Sequence, residues 1–432
     1  MKAMLAQPLT LPSGEVLPNR LAKAAMTEGL SDEHGPASEG LARLYQRWAD
    51  GGLGLMITGN VQVDAQHLER PGNVIIPKAP DAAAMTGLRN WAKAARSHGA
   101  GFWMQLAHAG RQTPRIVNAH PKAPSAVAME LPGNEFGSPV AMTEDDIAQV
   151  IERTVTAAVA AREGGFSGVQ LHAAHGYLLS QFLSPRANVR TDGWGGSLEN
   201  RARLLLEISK RTRAAVGRDF TISVKHNSAD FQKGGFSADD SLQVADWLTE
   251  KGIDVLEVSG GTYEQPRMMD QDGLEAPAMN GLTASTAARE GYFVQFAQAM
   301  QGRVRIPLMV TGGFRTAEAM ARALEGSVAI VGLGRPLCTD FDGPGRLLRE
   351  GGALDRPEAR LRLGPGWLGP QSPFKLIKTA NGFMVMSWYY QQLRNVARGE
   401  PVDASLGFLT AFRHEQRAQR EWLEAFKRVH AE

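Results

Sequence analysis

The stretch GVQLHAAHGY, residues 168–177, leads from a buried strand straight into a loop rich in proton-handling side chains. Residues three apart on a strand point to opposite faces, so His172 and His175 can converge only if the chain turns helical after Leu171. Upstream, the sequence TEDD at 143–146 opens an Ala-rich helix that runs through Ala161. A helix, a strand and a functional loop therefore follow one another here.

The same unit recurs along the chain. Short apolar, β-prone runs alternate with helix-like stretches, one of which opens at Ser237 and runs through Lys251. The runs lie at residues 21–26, 53–58, 101–106, 169–172, 221–225, 255–259, 307–311 and 328–332. Their continuous apolar character is typical of parallel strands buried on both faces. The repeated alternation predicts an α/β fold, a (β/α)8 or TIM barrel, in preference to a doubly wound sheet.

The two ends of the chain exceed what a barrel needs. Residues 9–18, centred on SG at 13–14, predict an N-terminal hairpin that could plug the bottom of the barrel. We expect residues 1–345 to form the barrel domain and residues 346–432 a helical C-terminal extension packed on it. Phe383, Met384, Trp388 and Tyr389 are large apolar groups near helical spacing, so we expect them to pack against the barrel. The extension would be a plain appendage, a cap over the active site or a dimer contact.

Composition narrows the class of protein. The 432 residues carry 47 basic and 45 acidic side chains, and a net charge of +2 with no basic run argues against nucleic-acid binding. The single cysteine, Cys338, excludes an internal disulfide and a cysteine-held metal or iron–sulfur site. The N-terminus lacks signal-peptide architecture, and no apolar run approaches the ~20 residues of a membrane span. We expect a cytoplasmic enzyme with a small-molecule substrate, no nucleic-acid or membrane partner, and homo-oligomerisation left open.

Three side chains in the quoted stretch carry candidate chemistry. His172 and His175 can donate two hydrogen bonds to one carbonyl or anionic oxygen. Tyr177, with an ordinary pKa of about 10, keeps its proton at neutral pH and can donate it. A zinc site on the two histidines would need a third ligand, which nothing nearby supplies at a recognised spacing. We therefore expect a substrate clamp with a proton donor, and no metal.

Glycine-rich loops follow the last two predicted strands. Gly312 and Gly313 follow the seventh strand, and Gly334 and Arg335 follow the eighth. Backbone N–H groups free of Cβ bulk, together with a guanidinium, can bind a phosphate. Barrel enzymes commonly bind phosphate at this position, among them aldolases, isomerases and flavin enzymes.

The other strand ends favour a flat heteroaromatic ring. Neutral hydrogen-bonding groups and one cation surround the barrel mouth: Ala25, Met26 and Thr27 after strand one, Thr58, Gly59 and Asn60 after strand two, Gln105 and His108 after strand three, and Lys225 after strand five. An amide can hydrogen-bond a donor–acceptor edge, and Lys225 can stabilise negative charge on a reduced ring. A Schiff base is the alternative role for Lys225.

These motifs together resemble the Old Yellow Enzyme family of FMN-dependent NAD(P)H:flavin oxidoreductases. The resemblance spans about residues 5–345 and rests on five segments: LPNRL at 17–21 with AAMT at 24–27, QLAHAGRQ at 105–112, HAAHGYLL at 172–179 with FLSP at 182–185, WGGSLENR at 194–201, and GLGRP at 332–336. Residues 346–432 lie outside it.

The resemblance implies an ene-reductase. NADH or NADPH would reduce FMN, and hydride would pass to the β-carbon of an alkene conjugated to a carbonyl or nitro group. His172 and His175 would bind the activating oxygen, and Tyr177 would protonate the α-carbon. The implied cofactor contacts are Ala25, Met26, Thr27 and Gly59 along the ring, Gln105 and Lys225 at the pyrimidine edge, and Gly312, Gly313, Gly334 and Arg335 at the phosphate. An NAD(P)H oxidase or quinone reductase on the same site is the alternative, and a flavin-independent lyase or isomerase a more remote one.

Three positions depart from the pattern of many family members. Thr27 stands where some members carry Cys, so a hydroxyl would tune the flavin. Lys225 replaces an Arg, giving a point charge in place of a planar fork. Gly29 falls where some members place a substrate-contacting Tyr, which predicts a differently shaped pocket.

Overall fold

The computed structural model describes residues 2–129, 131, 135–259, 296–369 and 372–430. Eight parallel strands pair edge to edge: β1 Leu21–Lys23, β2 Leu55–Gln62, β3 Gly101–Ala107, β4 Gly168–Ala173, β5 Thr221–Asn227, β6 Val255–Ser259, β7 Leu308–Thr311 and β8 Ile330–Leu333. Strand β1 pairs with both β8 and β2, so the sheet closes on itself. The predicted (β/α)8 barrel is confirmed.

Helices surround the barrel. Those between and after the strands are α1 Glu39–Asp50, α2 Ala82–Ala95, α3 Glu144–Glu163, α4 Leu198–Val216, α5 Ala238–Glu250, α6 Ala317–Glu325 and α7 Gly343–Glu350, with α8 Lys375–Ala397 and α9 Phe408–Val429 in the C-terminal extension. Thr143 and Ser237 cap α3 and α5, as their sequences predict. The helix expected between β6 and β7 lies partly outside the described residues. Among the described residues, no helix is both long and apolar enough to cross a membrane.

Strand β2 is longer than the sequence predicts. It runs to Gln62, so Thr58, Gly59 and Asn60 lie within the strand and not after it. The pairing of β2 with β3 shifts register between Ile57 and Asn60. A bulge bends a strand and re-aims its side chains while the strand stays in the sheet. Residues 58–60 can therefore remain within β2.

The N-terminal hairpin closes the bottom of the barrel. Its strands, Leu9–Thr10 and Val16–Leu17, pair antiparallel. The Glu15 carboxylate accepts hydrogen bonds from Trp103 Nε1 at 3.0 Å and from Thr221 Oγ1 at 2.6 Å. Because Thr221 begins β5, the hairpin lies at the end of the barrel opposite the strand ends that carry the candidate chemistry.

The C-terminal extension packs against the barrel layer. Trp388 and Tyr389 belong to the hydrophobic core that also contains the barrel helices. Trp422 Nε1 donates to the Ser31 carbonyl at 2.9 Å. Phe383, however, is 59% exposed, whereas its neighbour Met384 is 6% exposed. The expectation that Phe383 packs inward is wrong because adjacent residues on a helix point about 100° apart. The division of the chain at residue 345 stays a prediction.

Candidate active site

A chain of buried polar side chains crosses the mouth of the barrel. Gln105 Nε2 donates to Gln170 Oε1 at 2.8 Å, and Gln170 Nε2 donates to Glu257 Oε2 at 2.8 Å. The other oxygen of Glu257 lies 3.0 Å from Lys225 Nζ and accepts from Thr311 Oγ1 at 2.7 Å. The five side chains come from β3, β4, β5, β6 and β7, so the network links five neighbouring strands of the barrel.

Two members of this chain, Gln170 and Glu257, were missed by the sequence reasoning. Each is a polar residue inside an apolar strand, and each precedes another polar residue by two positions: Gln170 precedes His172, and Glu257 precedes Ser259. Residues two apart on a strand point to the same face, so this spacing could have identified both. Glu257 also gives Lys225 a buried ion-pair partner at 3.0 Å. The Schiff-base role of Lys225 stays an untested alternative.

His172 and Tyr177 lie together at the end of β4. The ring centroids of His172 and His175 are 5.0 Å apart, and those of His172 and Tyr177 are 4.8 Å apart. The backbone N–H of Ala174 donates to His172 Nδ1 at 3.3 Å. The neutral His172 ring therefore carries its proton on Nε2, which can act as a hydrogen-bond donor.

The backbone of His175 is held in an uncommon conformation. Its φ of 61° lies in the left-handed region, where a non-glycine residue needs support from its surroundings. Asn227 Oδ1 accepts from the His175 N–H at 3.1 Å, and Gln112 Nε2 donates to the His175 carbonyl at 3.0 Å. The ring Nε2 lies 2.8 Å from Ser259 Oγ. Three neighbouring segments thus fix the turn that brings the two histidines together. The expectation that the chain turns helical after Leu171 is wrong, because β4 continues to Ala173 and the chain turns through the left-handed conformation of His175.

Both histidines are neutral at neutral pH. Burial lowers the pKa of His172 well below its ordinary value, and the nearby charge of Lys225 lowers it further. The same two causes, in the same order, lower the pKa of His175. Each neutral ring can therefore offer an N–H donor but no imidazolium charge.

The predicted ring-lining residues lie where β1 and β2 approach each other. Ala25, Met26 and Thr27 are half-buried, and Thr27 Oγ1 donates to Glu69 Oε2 at 2.9 Å. A Cβ at Gly59 would lie 2.5 Å from the Met26 carbonyl oxygen, so only glycine allows this contact. The packing of the two segments therefore accounts for Gly59, and contact between the ring and these four residues stays a prediction.

The loops after β7 and β8 form an open cradle. Gly312 and Gly313 have φ values of 128° and 77°, which favour glycine. A Cβ at Gly312 would meet nothing within 4 Å, and one at Gly334 would approach only Met26, at 3.6 Å. Arg335 begins a short 3-10 helix directly after Gly334. Exposed backbone and an adjacent guanidinium fit a phosphate group.

Asp64, His67 and His108 form a cluster with ligand atoms close enough for a metal ion. The Lys122 N–H donates to His67 Nε2 at 2.8 Å, and the Gly110 N–H donates to His108 Nδ1 at 3.1 Å. In each neutral ring the proton must therefore sit on the nitrogen that faces Asp64, and a protonated nitrogen cannot bind a metal. The cluster fits a hydrogen-bonded structural role.

Comparison with known proteins identifies the family. The model of the NADH:flavin oxidoreductase / NADH oxidase family matches residues 4–350. An NADH-dependent flavin oxidoreductase, iliE, of Hypocrea jecorina (strain QM6a) is 36% identical over 353 residues, which cover 76% of this chain and 85% of that protein. The iliE protein of Neonectria sp. (strain DH2) is 38% identical over 347 residues, which cover 76% of this chain but 45% of that protein. An NADH oxidase of Thermoanaerobacter brockii is 36% identical, covering 76% of this chain and 48% of that protein.

Solved structures agree with the sequence relatives. Morphinone reductase superposes with a TM-score of 0.65 at 26% identity, covering 82% of this chain and 91% of that chain. A 2-naphthoyl-CoA reductase complexed with 2-naphthoyl-CoA has a TM-score of 0.72 at 25% identity, covering 80% of this chain and 52% of that chain. The chain belongs to the NADH:flavin oxidoreductase / NADH oxidase family, the Old Yellow Enzyme family that its motifs resemble, and its cofactor is FMN.

Proposed function

We propose that this protein uses NADH or NADPH and its FMN to reduce alkenes conjugated to a carbonyl group, with nitroalkenes and quinones as further acceptors. The observation that carries the proposal is the grouping of two neutral histidines and Tyr177 at the mouth of the barrel. Two neutral donors suit a carbonyl or nitro oxygen that gains negative charge during the reaction.

The side chains have separate roles in this proposal. His172 and His175 hold the activating oxygen, which draws electron density from the alkene. Tyr177, buried beside His172, donates a proton to the α-carbon. FMN, when bound, would supply the hydride that the β-carbon takes up. Hydride and proton together complete a two-electron reduction. Gln105 and Lys225 are proposed to bind the pyrimidine edge of the ring, where the Lys225 charge favours the reduced form.

The two half-reactions test the clamp. The double variant His172→Ala with His175→Ala should slow flavin reoxidation by an enone by about 10²-fold or more, since one oxyanion-type donor contributes roughly ~3 kcal/mol. Flavin reduction by NADH or NADPH should change far less. Stopped-flow spectroscopy measures both rates. His98→Ala, on an exposed histidine paired with Asp50, is the matched control. Equal losses in the two half-reactions would reject the clamp.

Tyr177→Phe tests the proton donor. Alkene reduction should slow by about 10²–10⁴-fold, because a carbon-directed proton must be placed. Quinone reduction should be nearly unchanged, because its oxygens take protons readily from water. If both acceptors slow together, Tyr177 is structural.

Oxygen is the second candidate acceptor, since one relative is named NADH oxidase. It would use the same flavin face and would not require Tyr177. Steady-state turnover with an enone, compared with turnover on oxygen alone, separates the two functions. Faster turnover on oxygen, with an enone adding nothing, would favour the oxidase.

A further inference from the structure

A second guanidinium follows the glycines of the loop after β7. The side chain of Arg315 is 7% exposed, and its Nη2 forms an ion pair with Glu358. Its Nη1 is buried and has no hydrogen-bond partner among the described residues. Buried donors are almost always satisfied in folded proteins, so an unpartnered one indicates a bound group that supplies an acceptor.

The charges around Arg315 favour an anion. Burial lowers the pKa of Arg315, and Arg335 lies near enough for its positive charge to lower it further against the opposing charge of Glu358. The Cys338 thiol adds no negative charge at neutral pH, because burial raises its pKa to about 12. The charge of Arg335 also acts on Glu358. The positive charge of Arg315, three residues after Gly312, complements a dianionic phosphate monoester.

Residues of the C-terminal extension hold Arg315 in place. Tyr389 Oη on α8 donates to Glu358 Oε2 at 2.6 Å. The Leu354 N–H donates to the Arg315 carbonyl at 2.7 Å. Although burial opposes it, the Tyr389 hydrogen bond and the Arg315 charge keep the pKa of Glu358 below its ordinary value, so Glu358 remains a carboxylate. Leu354, Glu358 and Tyr389 all lie beyond residue 350, where the family match ends.

We propose that Arg315 binds the FMN phosphate through Nη1, and that Glu358 and Tyr389 are positioning residues that orient it. The C-terminal extension is then part of the cofactor site and not only a cover for the barrel. The inference rests on FMN binding and is independent of which acceptor the enzyme reduces.

Affinity for FMN and for riboflavin, which lacks the phosphate, tests the proposal. Both dissociation constants are measured by flavin fluorescence quenching with the deflavinated full-length chain. Arg315→Met should weaken FMN binding by about 10- to 100-fold, the value of a hydrogen bond to a charged group. Tyr389→Phe and Glu358→Gln should weaken it by about 3- to 10-fold. Riboflavin binding should stay within about twofold in all three.

Tyr390→Phe is the matched control. Tyr390 is the next residue on α8, but its ring contacts Arg70 and not Arg315. The variant should bind both flavins as the wild type does. Unchanged FMN affinity in Arg315→Met, or equal loss of FMN and riboflavin, would overturn the proposal. If Arg315→Met does not fold, Arg315→Lys is measured in its place. A lysine keeps the positive charge but lacks the planar fork of the guanidinium. The Arg315→Lys variant should therefore bind FMN more weakly than the wild type does, with riboflavin binding unchanged.

Discussion

At the residue scale, neighbours on one strand meet opposite environments. Lys225 points into the barrel mouth and pairs with Glu257. His226, the next residue, is fully buried, and neither ring nitrogen has a hydrogen-bond partner within the described part of the chain. Burial lowers the pKa of His226 to about 4. The His226 ring lies on the side of the strand away from Lys225. Because it is buried without partners, it lowers the stability of the fold, and the size of this effect depends on pH.

We expect His226 to make the protein less stable in mild acid. The unfolded chain binds a proton at this histidine below pH ~6.5, whereas the folded chain binds it only near pH 4. Stability present above pH ~6.5 is therefore lost as the pH falls, by about 2 kcal/mol between pH 7.5 and pH 5. His226→Leu should lack this loss. Urea unfolding of both proteins at the two pH values measures it, with the exposed His120→Leu as control. Equal pH dependence in wild type and His226→Leu would contradict the expectation.

At the scale of elements, the N-terminal hairpin contributes to stability, whereas the carboxyl ends of the strands carry the candidate chemistry. Glu15 lies at the bottom of the barrel, and the active-site residues lie at the top. Trp103 Nε1 donates to the Glu15 carboxylate. Thr221 Oγ1 also donates to it and lies 2.8 Å from Ser13 Oγ, a second hydrogen-bond partner.

Glu15→Ala should therefore destabilise the fold without changing the chemistry. Losing the carboxylate removes the acceptor of the buried Trp103 N–H, at roughly 1–3 kcal/mol, whereas Thr221 keeps its hydrogen bond with Ser13. Urea unfolding should show the loss, while FMN affinity and both half-reaction rates stay unchanged. Val16→Thr, on an exposed residue of the same hairpin, should alter neither. A change in the half-reactions would show that the two ends of the barrel are coupled.

At the scale of the whole molecule, Glu415 joins the C-terminal extension to the barrel. This buried carboxylate on α9 pairs with Arg70, which lies in the segment after β2, and with Arg394 on α8. Burial alone would raise the pKa of Glu415, but the two guanidiniums outweigh it and lower the pKa to about 2. The carboxylate thus stabilises the fold above pH ~4.5, and this contribution is lost as the pH falls toward 2.

Glu415→Gln should loosen the extension. The buried guanidinium of Arg70 and the partly buried one of Arg394 would lose their carboxylate, which costs about 3–5 kcal/mol. Urea unfolding at pH 7 measures this loss, and hydrogen exchange should quicken in α9 and near Arg70 but not in β4. Glu421→Gln, on an exposed ion pair of the same helix, should change stability by less than about 0.5 kcal/mol. Similar effects of both substitutions would argue against a specific role for Glu415.

The barrel, its capped helices and the grouping of candidate side chains at 172–177 follow from the sequence alone. These features depend on local patterns: apolar runs, capping residues, and polar groups placed where strands end. Glycines after the last two strands predict a phosphate site in the same way.

Only the tertiary structure decided which groups meet. Glu257 joins Lys225 from the next strand, Arg315 meets Glu358 and Tyr389, and Arg70 meets Glu415 across 345 positions. The register shift in β2 and the exposure of Phe383 likewise depend on neighbours distant in the chain. A local sequence pattern specifies periodicity and turn chemistry. A buried charge must be paired, because an unpaired charge in the protein interior is costly. Its partner is whichever group the packing of distant segments brings near it, and the local sequence does not contain that information.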